Sequence, residues 1–510
     1  MSRERPTMAE MKYHIGLKLP IYPSDTQKKI IEKSINASRF VYNYSNSVNQ
    51  QLFDLRQIIS GFIDPYLTFR TYQRYWINYR RRNRELDGAV TQIKSITPML
   101  DSLVKWQLLG GIQNLEQVRS GSKAKYGQYL INWYKTVSSA TYIRHQIDFL
   151  NDRDIHSTIS GNAIRSYQAA WKLWAIARTT GRRNGTPRFK KKQSYGAGSY
   201  QVSTTYSSGK PLTMYDATGV RVDDNDHIIL PRLSRIRVTP KDKQGRILHA
   251  QSKLKAFLGQ HDSNSIRIGT TTISKTSTGQ YFASLSLGSM KPFAQTLPQT
   301  GKSVGIDLNV ENFLTMSNGT IISNPKFYMH QEQYLCHYQH KLSRQYRHAV
   351  ADHKPLAVRQ NYQAQRLIVA RKLKRVADQR RSFLDNLSMD IIRHYDVIVL
   401  EHLQGKNMLK NHALAKNIAD TGWRIFVSML QYKANMYGRA VILVNPAYTT
   451  QTCHACGYIC GRTDKSAHDK LKLSDREWTC PSCHHHHIRD INAAKNILDR
   501  GIAQLSANMH

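Results

Sequence analysis

Apolar and polar positions repeat with different periods along the chain, and these periods predict its elements. Residues 11–22 alternate loosely and predict one strand, after which Ser24 or Asp25 supplies a helix N-cap. From there to about residue 180 the apolar positions fall near the helical period, which predicts a mostly helical block. Residues 181–192 contain Gly and Pro and are rich in Arg and Lys, which indicates a boundary.

A β-rich stretch follows to about residue 300. Its short apolar runs are separated by Gly, Asp, Asn and Ser, which is typical of the strands of a small β-barrel or sandwich. The runs are 204–206, 228–230, 236–238, 266–268 and 281–287. If the strand at 11–22 completes this barrel, the helical block is an insertion.

From Val304 onwards, strands alternate with helices. The pattern predicts two adjacent strands of one sheet, a long helical region, and then further strands and helices. Their ranges are 304–306 and 313–316 for the adjacent strands, 330–394 for the helical region, and 397–400, 421–437, 440–444 and about 492–505 for the rest. Between 339 and 381 the helical region holds twelve Lys and Arg against two acids.

The net charge of the chain narrows the classes of molecule that it is expected to bind. The chain of 510 residues carries 74 Lys and Arg against 35 Asp and Glu, a net charge of +39. Such a surplus repels itself unless a polyanion neutralises it, and nucleic acid is the usual polyanion. A membrane surface fits poorly because the basic stretches are spread along the chain. The absence of a signal peptide and of membrane-length apolar runs predicts a cytoplasmic protein.

Three acids lie where apolar strands or a helix end or begin: Asp307, Glu401 and Asp490. Taken singly, they fit a strand end, a partner for a lysine and a helix cap. Taken together, acids from two strand ends and a helix start are suited to hold two divalent ions about 4 Å apart and hydrolyse a phosphodiester. Magnesium or manganese is the expected metal, because both prefer oxygen ligands.

Four of the six cysteines form two C-x-x-C pairs, Cys453 with Cys456 and Cys480 with Cys483. Four thiolates with this local spacing predict a structural zinc ribbon. Cys460 is interpreted as a bystander. The run 484–487 is four consecutive histidines, which supply either a substitute zinc ligand or a solvated turn.

Residues 304–498 resemble the TnpB family of transposon-encoded RNA-guided nucleases and the similar compact type V CRISPR effectors. Gly305-Ile306-Asp307-Leu308, Ile398-Val399-Leu400-Glu401 and Arg489-Asp490-Ile491-Asn492 resemble the three RuvC motifs of that family, and Pro187-Arg188-Phe189-Lys190 resembles an N-terminal signature. The sequence departs from the family pattern at Asn309, His402, His484 and Ile488, but no acid of the triad is missing.

The resemblance implies a multidomain α/β protein with an RNase H-like (RuvC) nuclease domain. In this interpretation 1–25 is the first strand of a β-barrel (wedge) domain, 26–180 a helical recognition insert, 181–300 the rest of the barrel, and 301–510 the nuclease domain with its zinc ribbon at 448–488. The implied activity is RNA-guided cleavage of double-stranded DNA, with a guide RNA and target DNA as partners and no membrane partner. The implied location is the nucleoid of a prokaryote.

Basic residues are expected to contact the phosphates of guide RNA and DNA. The candidates are Arg74, Arg80, Arg81, Arg182, Arg183, Arg188, Lys190, Lys191, Lys192, Arg371, Lys372, Lys374, Arg375, Arg380 and Arg381. Two other functions stay open, namely a guided DNA-binding repressor that does not cut and a transposase that acts without RNA. The sequence leaves open a transposon or CRISPR origin, and a monomer or a homodimer.

Overall fold

A computed structural model of the chain describes residues 7–61, 135–136, 138–181, 185–191, 197–207, 213–353, 355–402, 422–461, 471 and 475–507. The chain divides into two compact units, Met1–Lys291 and Pro292–His510. Residues 292–300 lie with the second unit, because the Leu297 N–H donates to the Tyr437 carbonyl (3.1 Å) and Arg439 donates to the carbonyls of Leu297 and Pro298.

The first unit combines helices with short antiparallel strands. Its helices are α1 (Asp25–Gly61), α2 (Ala140–Gln146), α3 (Thr158–Thr179) and α4 (Lys253–Gln260). Its strands are β1 (Tyr13–Ile21), β2 (Gly198–Val202), β3 (Arg221–Asp224), β4 (His227–Leu230), β5 (Ser234–Arg237), β6 (Ile266–Lys275) and β7 (Tyr281–Ser289). Ser24 caps α1, since its hydroxyl accepts from the Gln27 N–H while its own N–H donates to the Gln27 side chain.

These strands form two antiparallel sheets, with the orders β1-β7-β6-β2 and β3-β4-β5. The N-terminal strand β1 pairs along its whole length with β7, from Tyr13 opposite Ser289 to Ile21 opposite Tyr281. One bridge, from the Tyr22 N–H to the Arg237 carbonyl (2.9 Å), links the end of β1 to β5.

The sequence predicted the strands β1, β4, β5, β6 and β7, while β2, β3 and α4 are additional. The run 204–206 contributes only an isolated bridge between Thr205 and Thr218.

The second unit is built on a five-stranded mixed sheet among the described residues. Its strands are β8 (Ser303–Asp307), β9 (Asn312–Met316), β10 (Ile321–Ser323), β11 (Val397–Glu401) and β12 (Ala440–Val444), with a separate hairpin of β13 (Glu477–Thr479) and β14 (His486–Ile488). Its helices are α5 (Phe327–Ala351), α6 (Gln360–His394), α7 (Trp423–Tyr437) and α8 (Arg489–Ala507). The sheet order is β10-β9-β8-β11-β12, in which β8, β11 and β12 are parallel and β9 is antiparallel to both of its neighbours, β8 and β10.

Each face of this sheet packs against different helices. Val304, Ile306, Ile398 and Leu400 point to one face, where they join a core that includes residues of α6 and α7. Val399 and Val444 point to the other face and pack against Ile497 of α8. Because successive side chains of a strand alternate between faces, the continuous apolar runs of β8 and β11 are the pattern expected of strands covered on both sides.

Helix α8 lies directly against the sheet at two glycines. A Cβ atom on Gly305 of β8 would lie 2.0 Å from the Ala494 carbonyl oxygen, and one on Gly501 of α8 would lie 2.4 Å from the Val399 methyl groups. Only a residue without a side chain permits this approach, so both glycines fix how close α8 comes to β8 and β11.

The helical region predicted at 330–394 is confirmed, with one interruption. The structure contains two helices, α5 and α6, which pack against each other and are separated by residues 352–359. Pro355 lies in this turn and has no N–H to continue a helix, and His353 has a positive φ of 50°. The basic residues between 339 and 381 therefore lie on two helices of a hairpin.

Among the described residues, none of the helices combines the length and the apolar character needed to cross a membrane.

We expect Gly305→Ala to destabilise the second unit by about 1–3 kcal/mol, because the added methyl group overlaps the backbone of α8. Urea unfolding of the variant and of Ala503→Ser, a change at an exposed position of α8, measures the difference. Equal stability of the Gly305→Ala variant and the control would show that α8 does not approach β8 as described.

Candidate active site and cysteine cluster

Asp307 and Glu401 lie side by side at the ends of two parallel strands. Gly305 is paired with Val399 and Ile306 with Leu400, so the next residues along, Asp307 and Glu401, are neighbours. Asp307 lies two positions after Gly305, and Glu401 lies two positions after Val399. Gly305 and Val399 both contact α8, and side chains two positions apart in a strand share a face. Both carboxylates therefore point to the α8 face of the sheet.

Asp490 comes to the same place from the first turn of α8. The helix begins at Arg489, so the alternative interpretation of Asp490 as an N-cap residue is wrong. Its side chain accepts a hydrogen bond from Asn309 Nδ2 (3.2 Å), and the Asn309 side chain in turn accepts from the Asn312 N–H (2.7 Å). Asn309, a departure from the family pattern, thus holds one of the three acids from the loop that follows β8.

The electrostatics of the site show that the three acids interact. Asp307 is 6% exposed, and burial, followed by the charges of Glu401 and Asp490, raises the pKa of Asp307 to about 7. Burial also raises the pKa of Glu401, while a hydrogen bond from Thr449 opposes that rise. Such a site favours either a proton or a cation, because each relieves the repulsion between the carboxylates.

Thr449 is a site residue that the sequence did not reveal. Its buried hydroxyl donates a hydrogen bond to Glu401 Oε1, and its carbonyl accepts from Asn496 Nδ2 of α8 (2.9 Å). Asn496 also donates to the Thr452 carbonyl (2.7 Å). Glu401 is therefore held through a loop that is itself fixed to α8, and Thr449 lies too far along the chain from Glu401 for spacing to have indicated the contact.

The four predicted cysteines form a compact cluster. The Cys453 and Cys483 sulfurs are 3.6 Å apart, as are those of Cys456 and Cys480, and all four Sγ atoms lie within 4.8 Å of one another. Four sulfurs placed tetrahedrally about 2.3 Å from a zinc ion would be about 3.8 Å apart. The cluster has the dimensions of a four-cysteine zinc site.

The two C-x-x-C turns have the same backbone geometry. In each, the first cysteine donates its N–H to the carbonyl five residues later, and its own carbonyl accepts from the N–H four residues later. That fourth residue is Gly457 in the first turn and His484 in the second, with φ of 77° and 56°. A positive φ favours glycine, so His484 is an unusual residue at this position of the turn.

The Cys453 turn is also fixed to α8. The Asn492 side chain accepts from the His454 N–H (2.9 Å) and donates to the Thr452 carbonyl (2.8 Å). The same helix thus carries Asp490 in its first turn and holds the start of the cysteine cluster about half a turn later.

The candidate nucleic-acid residues of the first unit are partly described. Arg188 and Lys191 are exposed. The Lys190 ammonium lies 3.8 Å from the centroid of the Tyr42 ring, and its backbone exchanges two hydrogen bonds with Asn43. The other candidates of this unit lie outside the described residues, namely Arg74, Arg80, Arg81, Arg182, Arg183 and Lys192.

The candidates of the second unit all lie on α6. Arg371, Arg375 and Arg381 are exposed. Lys374 pairs with Asp378, and the Lys372 ammonium lies 5.3 Å from the centroid of the Tyr338 ring. Arg380 is half-buried and packs beside Gly422. The exposed arginines are therefore better candidates for phosphate contacts than the three residues with partners inside the protein.

Family models match three parts of the chain. A model described as "Probable transposase" matches residues 281–412, the Cas12f1-like TNB domain matches 423–497, and a model described as a helix-turn-helix domain matches 11–54. The first two contain the three acids and the four cysteines. Over 11–54 the structure has the strand β1 and the first part of α1.

Individual proteins give a similar result. The chain is 34% identical over 235 residues to a protein of Streptomyces pristinaespiralis named "Putative RNA-guided DNA endonuclease", covering 46% of this chain and 53% of that one. It is 28% identical over 218 residues to an Escherichia coli K12 protein of the same description, covering 40% and 50%. The chain thus spans about half the length of the curated relatives it matches.

Among solved structures, a Cas12f1 complex with guide RNA and target DNA aligns with 95% of this chain and 98% of its own, at 13% identity and a TM-score of 0.41. That likeness is too weak to carry an argument. A TnpB-like protein of Methanocaldococcus jannaschii is 28% identical over 145 residues, covering 27% of this chain and 31% of that one. The family models and the sequence relatives together show that the chain is similar to proteins named as TnpB-like proteins or as putative RNA-guided DNA endonucleases.

Proposed function

We propose that this protein is an RNA-guided DNA endonuclease that hydrolyses phosphodiesters at a site formed by Asp307, Glu401 and Asp490. The observation that carries the proposal is the convergence of these acids, from two parallel strands and a helix start, on one face of a sheet. Similarity to proteins named as putative RNA-guided DNA endonucleases supports guidance by RNA, and the net charge of +39 supports a polyanionic partner.

We infer that the nuclease domain has the RNase H-like (RuvC) fold. Support comes from the order of its sheet, in which the antiparallel strands β10, β9 and β8 are followed by β11 and β12, both parallel to β8. The division of 1–300 into a barrel domain with a helical insert stays part of the proposal. It is supported by the pairing of β1 with β7, because the helical block lies between these two paired strands in the order of the chain.

The acids fit magnesium or manganese. Asp307 is buried among other carboxylates, so a divalent cation would offset charges that otherwise repel one another. Within the described residues, the four cysteines are the one group whose ligand atoms all lie within 4.8 Å of one another. The ligand atoms of the three acids therefore do not all lie within that distance of one another. When bound, such ions activate water and stabilise the leaving oxygen.

Other side chains position the acids. The Thr449 hydroxyl occupies one oxygen of Glu401, which leaves the second oxygen of that carboxylate for a metal. Asn309 does the same for Asp490, with its amide directed to Oδ2. Both contacts restrain the carboxylates before any substrate binds, and such restraint is what catalysis by positioned charges requires.

We propose that Cys453, Cys456, Cys480 and Cys483 bind a structural zinc ion. Four thiolates fill a tetrahedral coordination shell and leave no open position for substrate. Zinc would then hold together the two turns and the hairpin of β13 and β14, and through Asn492 it would stabilise the loop that contains Thr449. The proposed role is structural support of the active site.

The description of one family model as a transposase favours a second candidate, a DNA-joining enzyme that acts without RNA. A guided repressor that does not cut is disfavoured, since all three acids are present. Sensitivity of the activity to ribonuclease separates a guided nuclease from a transposase of this kind.

We expect Asp307→Asn to reduce DNA cleavage by roughly a thousand-fold or more while RNA binding is retained, because the change removes a charge at the reacting centre and almost no volume. Asp499→Asn is the matched control, an exposed acid on the same helix as Asp490. Cleavage of a guide-matched duplex in magnesium measures both variants. Undiminished cutting by Asp307→Asn would remove Asp307 from the mechanism.

The pKa of Asp307 predicts the pH dependence of stability without added magnesium. The pKa of Asp307 is about 7 in the folded protein, compared with 3.8 for an unperturbed aspartate. At a pH between these two values, the native state therefore keeps a proton that the unfolded chain has released. The free energy of unfolding should therefore fall as pH rises from about 4 to 7, by up to about 4 kcal/mol. In Asp307→Asn this fall should shrink, and in Asp499→Asn it should persist. Identical urea-unfolding profiles for all three proteins would contradict the shift.

Replacement of Arg188 or Lys190 by alanine should weaken RNA binding, because each change removes a positive charge that is proposed to bind a phosphate. The slope of log K against log salt should become shallower by about one for each phosphate that is no longer bound. Lys255→Ala, at an exposed position of α4, is the control. Binding measured at several salt concentrations tests this. If neither replacement changes affinity or slope, Arg188 and Lys190 do not contact the RNA backbone.

A further inference from the structure

One histidine of the run 484–487 differs from the other three. His484, His485 and His486 are exposed, whereas His487 is 7% exposed. The reason is the alternation of the short strand β14, in which His486 and Ile488 point outward and His487 points inward. In the hairpin His487 is paired with Trp478 of β13, and the two rings lie 4.9 Å apart between centroids.

The buried ring of His487 reaches the cysteine cluster. Its Nε2 atom lies 3.0 Å from the sulfur of Cys453, which is short for a contact between nitrogen and sulfur. When Cys453 is a thiolate, as in a zinc-bound cysteine, its sulfur has no hydrogen to donate, so Nε2 carries the hydrogen of this bond and the sulfur accepts it. Cys453 is itself fully buried, so water does not replace this donor.

The distances place His487 outside the set of metal ligands. Among the described residues, the cluster whose ligand atoms all lie within 4.8 Å of one another contains the four sulfurs and no histidine nitrogen. Within that set, the hydrogen bond of His487 is to Cys453. A histidine that replaced a cysteine as a ligand would lie close to all of the remaining sulfurs.

We propose that His487 is a hydrogen-bond donor to the Cys453 thiolate that strengthens zinc binding from outside the coordination shell. The inference rests on the proposed zinc site. Four thiolates around one Zn²⁺ leave a net charge of −2. Two of the four cysteines, Cys453 and Cys480, are buried, and hydrogen bonds to sulfur spread that charge. His487 supplies such a bond from a side chain to one of the four sulfurs.

Packing alone is the competing explanation, because His487 also lies against Trp478 and His485. Two replacements separate packing from hydrogen bonding. His487→Phe keeps a ring of similar size and removes the donor, whereas His487→Gln removes the ring and keeps an N–H that reaches about as far as Nε2. His486→Phe, at the exposed neighbouring position, is the control for adding an aromatic ring to this hairpin.

The test measures zinc affinity of the full-length protein by competition with a chromogenic chelator. We expect His487→Phe to weaken zinc binding by about 10–100-fold, as is found when such outer partners are removed. His487→Gln should bind within a few-fold of the unaltered protein, and so should His486→Phe. Equal affinities for the His487→Phe variant and the unaltered protein would overturn the proposal in favour of packing.

Cobalt substitution tests the assigned place of His487. The absorption of bound Co²⁺ should show charge transfer from four thiolates in the unaltered protein and in His487→Phe alike. If the unaltered protein instead shows three thiolates and the variant four, His487 is a ligand and the proposal is wrong. If the unaltered protein binds neither zinc nor cobalt, the zinc site itself is refuted, an outcome distinct from an unchanged affinity in the variant.

Discussion

The close contact between α8 and the sheet is the constraint on which the rest of the second unit depends. The backbone of α8 occupies the space that a Cβ atom on Gly305 would need. In the same way, the Val399 side chain of β11 occupies the space that a Cβ atom on Gly501 of α8 would need. This contact fixes the start of α8 beside the ends of β8 and β11, so that Asp490 lies next to Asp307 and Glu401. Burial of Asp307 is the largest cause of its raised pKa, and the charges of its neighbours Glu401 and Asp490 add to it.

The same helix connects the acids to the cysteine cluster. Asn492 and Asn496, both buried on α8, hold the backbone of residues 449–454. That backbone carries Thr449, whose hydroxyl contacts Glu401, and then Cys453, the first of the four cysteines. Positioning of a catalytic acid and formation of the metal cluster thus depend on one short loop, which gives the proposed zinc a physical connection to the proposed chemistry.

Much of the second unit could be predicted from sequence, because its signals are local. An acid at the end of an apolar run marks a strand end, and paired cysteines at fixed spacing mark a metal site. The contacts of Thr449 and Asn309 could not be predicted, since each joins residues far apart in the chain. The sequence could not show which of the four histidines is buried, because the burial of His487 depends on the register of β14. The helix break at Pro355 had a sequence signal, which the strong helical periodicity on both sides concealed.

We propose that the three acids cut DNA under the direction of RNA. The most direct measurement is magnesium-dependent cleavage of a duplex matched to the RNA that copurifies with the protein, before and after ribonuclease treatment, for the unaltered chain and Glu401→Gln. We expect cutting of the matched duplex only, and we expect it to be abolished both by ribonuclease treatment and in the variant. Cutting that survives ribonuclease would contradict guidance by RNA, and cutting by Glu401→Gln would contradict the assigned active site.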